Sequence, residues 1–121
     1  LIYIARVDDK PVGFIAGLPD YNQVLYHFKG KVNLISIFKF FYYKNKINRA
    51  RMFMQFVIPK YQKSVITPGL YLSLYNGFIK NGYTDMEAST IAEFNIDSLQ
   101  SVKGVGFKTS RIYRIYKKNI L

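Results

Sequence analysis

The 121-residue sequence contains no cysteine, a single histidine and only seven acidic residues. Without cysteine it cannot have a disulfide scaffold, a zinc–thiolate site or a cysteine nucleophile. His27 stands alone, and the scattered carboxylates do not form an obvious metal cluster, so we expect no metal site. The longest apolar runs, such as residues 34–38, are much shorter than the ~20 residues that span a membrane. A chain without cysteine fits a reducing cytoplasm, and we expect that localisation.

Positive charge dominates what is present. Eighteen lysines and arginines against seven carboxylates give a formal net charge of +11. No acidic residue lies between Asp20 and Asp85, and a second basic run occupies residues 103–118. A field of this sign attracts polyanions such as nucleic acid, an anionic membrane face or a phosphorylated cofactor. The alternative is a solvated basic surface without a partner.

Half of the residues are apolar and 17% are aromatic, which predicts a folded chain with one domain over residues 1–121. Since the opening segment already has the pattern of a strand, we expect the chain to start inside a domain. Strands alternating with helices indicate an α/β or α+β layer. The predicted order is strand 1–7, strand 11–17, helix 34–44, strand 48–58, helix 68–81, strand 84–91, helix 95–103 and strand 107–118.

Turn and cap residues mark several of these boundaries. The segment Asp8–Lys10 predicts a hairpin turn, and Gly17 inside the second strand is typical of a bulge. Thr67 precedes Pro68, so the hydroxyl is predicted to cap the helix and the proline to occupy its first position. The Asn95 side chain is likewise predicted to cap the short helix that follows it.

Three segments carry a resemblance to a known family. Residues 57–62 read V-x-P-x-Y-Q and are followed by a loop and a helix; Asn95 and the pair Gly106-Phe107 keep the spacing of a second motif. The order of PDYN at 19–22, a basic helix and INRARMFMQFVIPKYQ is similar to a subgroup of bacterial proteins. In this order and spacing the chain resembles the GNAT acetyltransferases over nearly all of its length.

The resemblance implies a mixed, partly parallel sheet with helices on both faces, here the C-terminal portion of a larger fold whose N-terminal strand and helices are missing. It also implies acetyl-CoA or another acyl-CoA as cofactor. The pantetheine arm would run along the central strand, and the pyrophosphate would lie in the loop at the start of the next helix. The implied cofactor-binding residues are Phe56, Val57, Ile58, Gln62, Lys63, Ser64, Val65, Ile66, Thr67 and Asn95.

The chain departs from the family pattern at three positions. Val65 and Thr67 stand where the pyrophosphate loop has glycines. If both residues were forced into left-handed conformations, the cost would be about 2–4 kcal/mol, or a ~30- to 1000-fold loss of affinity. Val102 stands where the family has its tyrosine acid, and valine cannot protonate a leaving thiolate. We therefore expect weakened cofactor binding, or its loss.

Candidate catalytic residues are Glu93 and Tyr113, because a carboxylate can deprotonate an amine and a tyrosine can protonate the leaving group. Glu87 is predicted to share a strand face with Glu93, and Asp20 and Asn22 are candidates for substrate contact. Each has an ordinary structural alternative: solvated carboxylates, turn residues or a sheet tyrosine.

The leading hypothesis is an acyl-CoA-dependent N-acyltransferase acting on a small-molecule or peptide amine. The alternatives are a non-catalytic GNAT-like module that binds a ligand or partner, and a basic nucleic-acid-binding domain, which no known motif supports. A homo-oligomer remains open. The stretch FKFFYYKNK at 38–46 is typical of an aromatic–basic surface for nucleic acid or membrane, but its spacing favours core residues.

Overall fold

A computed structural model describes residues 1–88 and 90–119. Strand β1 (Ile2–Val7) and strand β2 (Lys10–Pro19) form the predicted antiparallel hairpin. Asp8 and Asp9 both have positive φ, 48° and 62°, and a two-residue turn of this kind matches the twist of the strands it joins. The pairing of β2 with β3 shifts register between Ala16 and Gly17, but the extra residue is Phe53 of β3, so the irregularity predicted at Gly17 lies on the opposite strand.

Strand β3 (Arg49–Val57) pairs antiparallel with β2, and strand β4 (Asp85–Ala88) pairs parallel with β3. The four strands form one sheet in the order β1-β2-β3-β4. The sequence-based prediction of a mixed, partly parallel sheet is confirmed. Strand β4 is shorter than the predicted 84–91: Thr90 and Ile91 are irregular, and Ser89 lies outside the described residues.

A helical insert joins β2 to β3. It consists of helix α1 (Asn22–Leu25), a 3-10 turn, helix α2 (Leu34–Tyr43) and a second 3-10 turn. Helix α2 confirms the predicted 34–44; it begins with a capping box, in which Asn33 accepts from the Ser36 amide and Ser36 from the Asn33 amide. Helix α1 was not predicted. Within the described part of the chain, no helix is long and apolar enough to cross a bilayer.

Helix α3 (Ile66–Lys80) connects β3 to β4 and lies across one face of the sheet. Its buried side chains recur at helical spacing and meet Ile15 of β2 and Met52 of β3. Gly17 lies directly beneath this contact, since a Cβ there would meet the ring of Phe78 and the Cδ1 atom of Leu74. The core cluster consists of Ile15, Ala50, Met52, Val57, Leu70, Tyr71, Leu74, Phe78 and Val102.

The predicted cap of α3 is wrong. The helix begins earlier than expected, at Ile66, with Val65 as its N-cap and no side-chain cap bond. Thr67 is inside the first turn and largely buried, so its hydroxyl faces back into the loop and donates to the carbonyl oxygen of Gln62 at 3.2 Å. The hydroxyl therefore closes the loop before the helix.

Helix α4 (Ile96–Gly104) follows the predicted bounds closely, and Asn95 caps it as predicted by accepting from the Ser98 amide. The final predicted strand, residues 107–118, is wrong. These residues are irregular and, apart from Phe107, exposed, because no described strand pairs with them. Alternation of apolar and basic residues satisfies the pattern of a strand, but a strand also needs a neighbour to accept its hydrogen bonds.

The two faces of the sheet differ. Helix α3 covers one face, whereas the side chains of Ile2, Ile4, Met54 and Phe56 on the other face are exposed. Helices were predicted on both faces of the sheet. Among the described residues, no helix covers these four side chains, so this part of the second face is open.

Gly17 gives a test of the helix–sheet contact. Gly17→Val should lower the free energy of unfolding by about 1–3 kcal/mol, because the added atoms must displace Phe78 and Leu74 from a packed core. Gly69→Ala is the matched control: a Cβ at this position of α3 would meet no atom within 4 Å, so alanine should raise stability by about 0.5–1 kcal/mol. Denaturant unfolding measures both, and equal stability of the Gly17→Val and parent chains would contradict this packing.

Tyr71 gives a test at high pH. Burial raises the pKa of its phenol to about 12. The neutral form is therefore favoured in the folded chain; this stabilisation is fully present below pH 10 and is lost as the pH rises towards 12. We expect the free energy of unfolding to fall more steeply over this range for the parent than for Tyr71→Phe. Parallel slopes in denaturant titrations would show that the phenol is not buried.

Candidate functional site

The parallel pair β3–β4 forms a fork. Only four residue pairs join the two strands, from Arg49↔Asp85 to Met52↔Ala88. Beyond Met52, residues 53–57 of β3 have no partner on that side within the described residues, although residues 54–57 still pair with β2 on the other side. Backbone donors and acceptors along this edge are therefore open to a ligand.

The predicted strand residues at the fork have different environments. The Val57 side chain is buried in the core, and the Phe56 side chain is half exposed on the uncovered face. The Ile58 amide donates to the Val12 carbonyl oxygen at 3.0 Å, away from the fork. These three residues can therefore contribute to a ligand site mainly through their backbone and, for Phe56, through an apolar side chain.

The loop from β3 to α3 is tied at both ends. The Gln62 side-chain amide donates to the Val57 carbonyl oxygen at 3.0 Å. The Ser64 hydroxyl donates to the Tyr61 carbonyl oxygen at 2.6 Å and accepts from the Ile66 amide at 3.2 Å. With the Thr67 bond to Gln62, these contacts fix the loop without a glycine.

The conformational penalty predicted for Val65 and Thr67 is absent. Val65 has φ −64° and ψ −9°, and neither residue is among those with positive φ. The chain enters α3 through a right-handed turn, a conformation that β-branched residues adopt freely. The predicted loss of affinity therefore has no basis in the backbone of this loop.

The start of α3 suits an anion. The amides of Lys63, Val65 and Thr67 make no hydrogen bond to any described part of the chain. Free amides at a helix N-terminus, together with the helix dipole, favour negative charge. The exposed side chains of Lys60 and Lys63 add two positive charges on the same loop.

Asn95 is exposed and committed to capping α4, with the Ser98 amide 3.3 Å from its side-chain oxygen. Val102, which stands in place of the family's tyrosine, is buried against α3 in the same cluster as Tyr71. This end of the fold is therefore apolar and supplies no proton donor at position 102.

A polar cluster lies just before the fork opens. Arg51 Nη2 is 3.3 Å from Glu87 Oε1, and Arg49 Nη1 is 3.9 Å from both Glu87 Oε2 and Asp20 Oδ2. Asp20 is buried and accepts from the backbone and side-chain amides of Asn22 at 3.2 and 2.9 Å. The structure thus brings together the three residues predicted for substrate contact.

The two arginines of this cluster were not predicted as site residues. Arg49 and Arg51 alternate along β3 and so share one face, opposite buried Ala50 and Met52. The i, i+2 spacing of these two arginines is the sequence signal from which they could have been predicted. The buried Arg51 Nε has no hydrogen-bond partner among the described residues. A buried N–H without an acceptor is costly, and a ligand oxygen would satisfy it.

The two candidate catalytic residues, Glu93 and Tyr113, lie on different segments of the chain. A hydrogen bond to Tyr113 and the charge of its ionised form raise the pKa of Arg111, and the carboxylates of Glu87 and Asp20 raise it further. Tyr113 itself is exposed in the irregular segment that follows α4. Glu93 is exposed in the turn between β4 and α4. The predicted face shared by Glu87 and Glu93 is wrong, because β4 ends at Ala88.

Comparison with known proteins agrees with this geometry. No family model matches the chain. Protein YghO of Escherichia coli (strain K12) is 30% identical over 131 residues; the alignment covers 99% of this chain and 32% of YghO. The chain thus spans about a third of that relative.

Solved structures match more completely. Aminoglycoside N-acetyltransferase AAC(6')-Iy in complex with CoA has a TM-score of 0.68 and 18% identity over 98% of this chain and 75% of that one. The same enzyme with the bisubstrate analogue CoA-S-monomethyl-acetylneamine has a TM-score of 0.69 and 18% identity, covering 98% and 69%. An aminoglycoside acetyltransferase from an uncultured soil metagenomic sample, in complex with sisomicin, has a TM-score of 0.68 and 11% identity. The match covers 98% of this chain and 64% of that one. The mixed sheet, its fork and its helices therefore have the GNAT acetyltransferase fold.

Proposed function

We propose that this chain is an acyl-CoA-dependent N-acyltransferase. The observation that carries the proposal is the fork between β3 and β4, which leads directly into a loop with three free amides. Structural neighbours were solved with CoA and with a CoA bisubstrate analogue. The pantetheine arm would pair with the open edge beyond Met52, and the pyrophosphate would accept hydrogen bonds from the amides of Lys63, Val65 and Thr67.

In the proposed reaction the acceptor amine attacks the thioester carbonyl, the C–S bond breaks, and the thiolate takes up a proton. Glu87, which lies on β4 in the polar cluster, would receive the proton of the amine in place of the turn residue Glu93. Tyr113 is the candidate to protonate the thiolate, because Val102 cannot. Most of the rate enhancement would come from orienting the amine and thioester in the fork.

The charges of the polar cluster indicate which class of acceptor amine would bind there. Two arginines offset its two carboxylates, and the rest of the chain is strongly basic. A polycationic acceptor would meet repulsion here. An amine that also carries a carboxylate or phosphate would place its amine near Glu87 and its oxygen on Arg51 Nε. We therefore propose a small or peptide acceptor of this anionic class.

The remaining features follow from this function. The chain would be a single GNAT-like domain, the C-terminal portion of a larger fold, acting in the cytoplasm. A non-catalytic module is the second candidate, because Val102 removes the usual acid and Tyr113 is exposed. Measured binding of CoA without turnover on any amine would favour that second candidate.

The loop is tested by reversing one charge. The chain should bind CoA, and Lys63→Glu should weaken binding at least about tenfold, or ~1.4 kcal/mol, because a carboxylate would face the pyrophosphate. Lys80→Glu makes the same charge change at the other end of α3, about 25 Å away at ~1.5 Å per residue, and should leave affinity nearly unchanged. Calorimetric titration measures all three chains. Equal losses in both variants would indicate a general charge effect, and no binding by the parent would refute the proposal.

The acceptor class is tested by comparing an amine that carries a carboxylate with a matched amine that does not. Release of free CoA can be followed with a thiol reagent without background, since the chain has no cysteine. An amino acid should be a better acceptor than its amide, and Arg51→Met should raise KM for the amino acid about tenfold or more while changing KM for the amide little. Arg6→Met, on the hairpin, is the control. Preference for polyamines over amino acids would contradict the assignment.

A further inference from the structure

Helix α2 is oriented with its apolar side towards solvent. The residues that face the body of the protein are Ser36, Lys39, Phe40 and Tyr43, spaced as one helical face. The outward stripe is apolar: Leu34, Phe38 and Phe41 lie along its centre and are 71%, 70% and 59% exposed. The interpretation of residues 38–46 as core is therefore wrong for all but the inward positions.

Two further apolar side chains are exposed before the helix. Val32 and Tyr26 on the preceding segment are 88% and 81% exposed. Ile35, Ile37 and Tyr42 widen the stripe on either side of its centre. A contiguous apolar surface of this extent is uncommon on a protein without a partner, because each side chain exposed to water is unfavourable.

Lysines border the stripe at both ends. Lys29 and Lys31 precede it, and Lys44 and Lys46 follow it. The Lys44 and Lys46 ammonium groups lie over the rings of Phe41 and Tyr42, 4.9 and 4.0 Å from the ring centroids, in cation–π contacts. No carboxylate occurs in the insert after Asp20, so nothing in its sequence offsets these charges.

A shallow pocket opens on the inward side of α2, where Lys39 and Tyr43 lie. It has a volume of about 420 Å³ and is lined by Tyr26, His27, Lys29, Lys39 and Tyr43. His27 stacks on Tyr43 with ring centroids 3.7 Å apart, and Lys39 Nζ donates to the His27 carbonyl oxygen at 3.1 Å. Two lysines and no carboxylate around such a pocket suit a phosphate group.

We infer that the insert between β2 and β3 binds the surface of an anionic lipid bilayer, with the outward stripe of α2 in the interfacial layer and the flanking lysines on lipid phosphates. An apolar stripe with basic edges matches an interfacial helix, and anionic lipids attract juxtaposed lysines. Tyr26 and Tyr42 would lie at the headgroup level, where aromatic rings with a polar end are favoured. This inference is independent of the proposed acyl transfer.

Other occupants fit less well. In a second copy of the chain, two lysine-bordered stripes would face each other and repel. Nucleic acid would meet the charges, but Leu34, Ile35 and Ile37 offer it no stacking surface. A protein partner would need an apolar centre and an acidic border, and lysines are depleted in such interfaces. A bilayer combines both properties.

The test is sedimentation of the 121-residue chain with vesicles of phosphatidylcholine alone or mixed with phosphatidylglycerol. We expect binding to the anionic vesicles that weakens with salt, and little binding to the neutral ones. Phe38→Ser with Phe41→Ser should lower the partition coefficient at least about tenfold, as should Lys44→Gln with Lys46→Gln. All four side chains are exposed, so the variants should keep their fold, which circular dichroism checks.

Insertion itself can be read spectroscopically, because the chain contains no tryptophan. Phe38→Trp should give a blue-shifted emission on anionic vesicles, whereas Leu72→Trp on α3, at a site 59% exposed, should not shift. Absence of binding to anionic vesicles would overturn the inference. So would binding that survives the double serine variant, an equal shift at both tryptophans, or concentration-dependent dimerisation abolished by the same serines.

Discussion

The packing of α3 against the sheet determines where everything else lies. Leu74 and Phe78 can approach β2 closely only because Gly17 has no side chain. The N-terminus of the same helix follows the loop proposed to bind the pyrophosphate, and its C-terminus leads into β4. The apolar contact at Gly17 therefore holds against the sheet the helix that links the loop to β4.

Local chemistry explains which parts of this arrangement were predictable. The β1–β2 hairpin, the β3–α3–β4 unit and the Asn95 cap follow from turn residues, apolar periodicity and capping, all of which act over a few residues. The failures have a common cause. Residues 107–118 alternate like a strand without a described neighbour to pair with, and Thr67 satisfies the cap pattern while its hydroxyl closes a loop instead.

The candidate site likewise has residues that the sequence predicted and contacts that it did not. Asp20, Asn22 and Glu87 were identified as polar residues near the expected cleft, but their meeting through Arg49 depends on strand register, which residue spacing alone does not give. Conversely, the penalty assigned to Val65 assumed that its backbone copies that of a glycine loop. The actual φ of −64° shows that a right-handed turn can present free amides without glycine. The missing glycines therefore do not by themselves imply a strained backbone in this loop.

Under the two proposals, the basic charge of the chain serves two different kinds of surface. At the α3 loop, Lys60 and Lys63 surround free backbone amides, which offer directional hydrogen bonds to one phosphate group. Around α2, the lysines surround apolar side chains, which offer no hydrogen bonds but a large area to remove from water. Salt weakens the attraction at both surfaces. The groups that lie between the lysines distinguish the two proposed ligands. Backbone amides favour a single phosphate group, whereas an apolar stripe favours a bilayer, which is apolar beneath its charged headgroups.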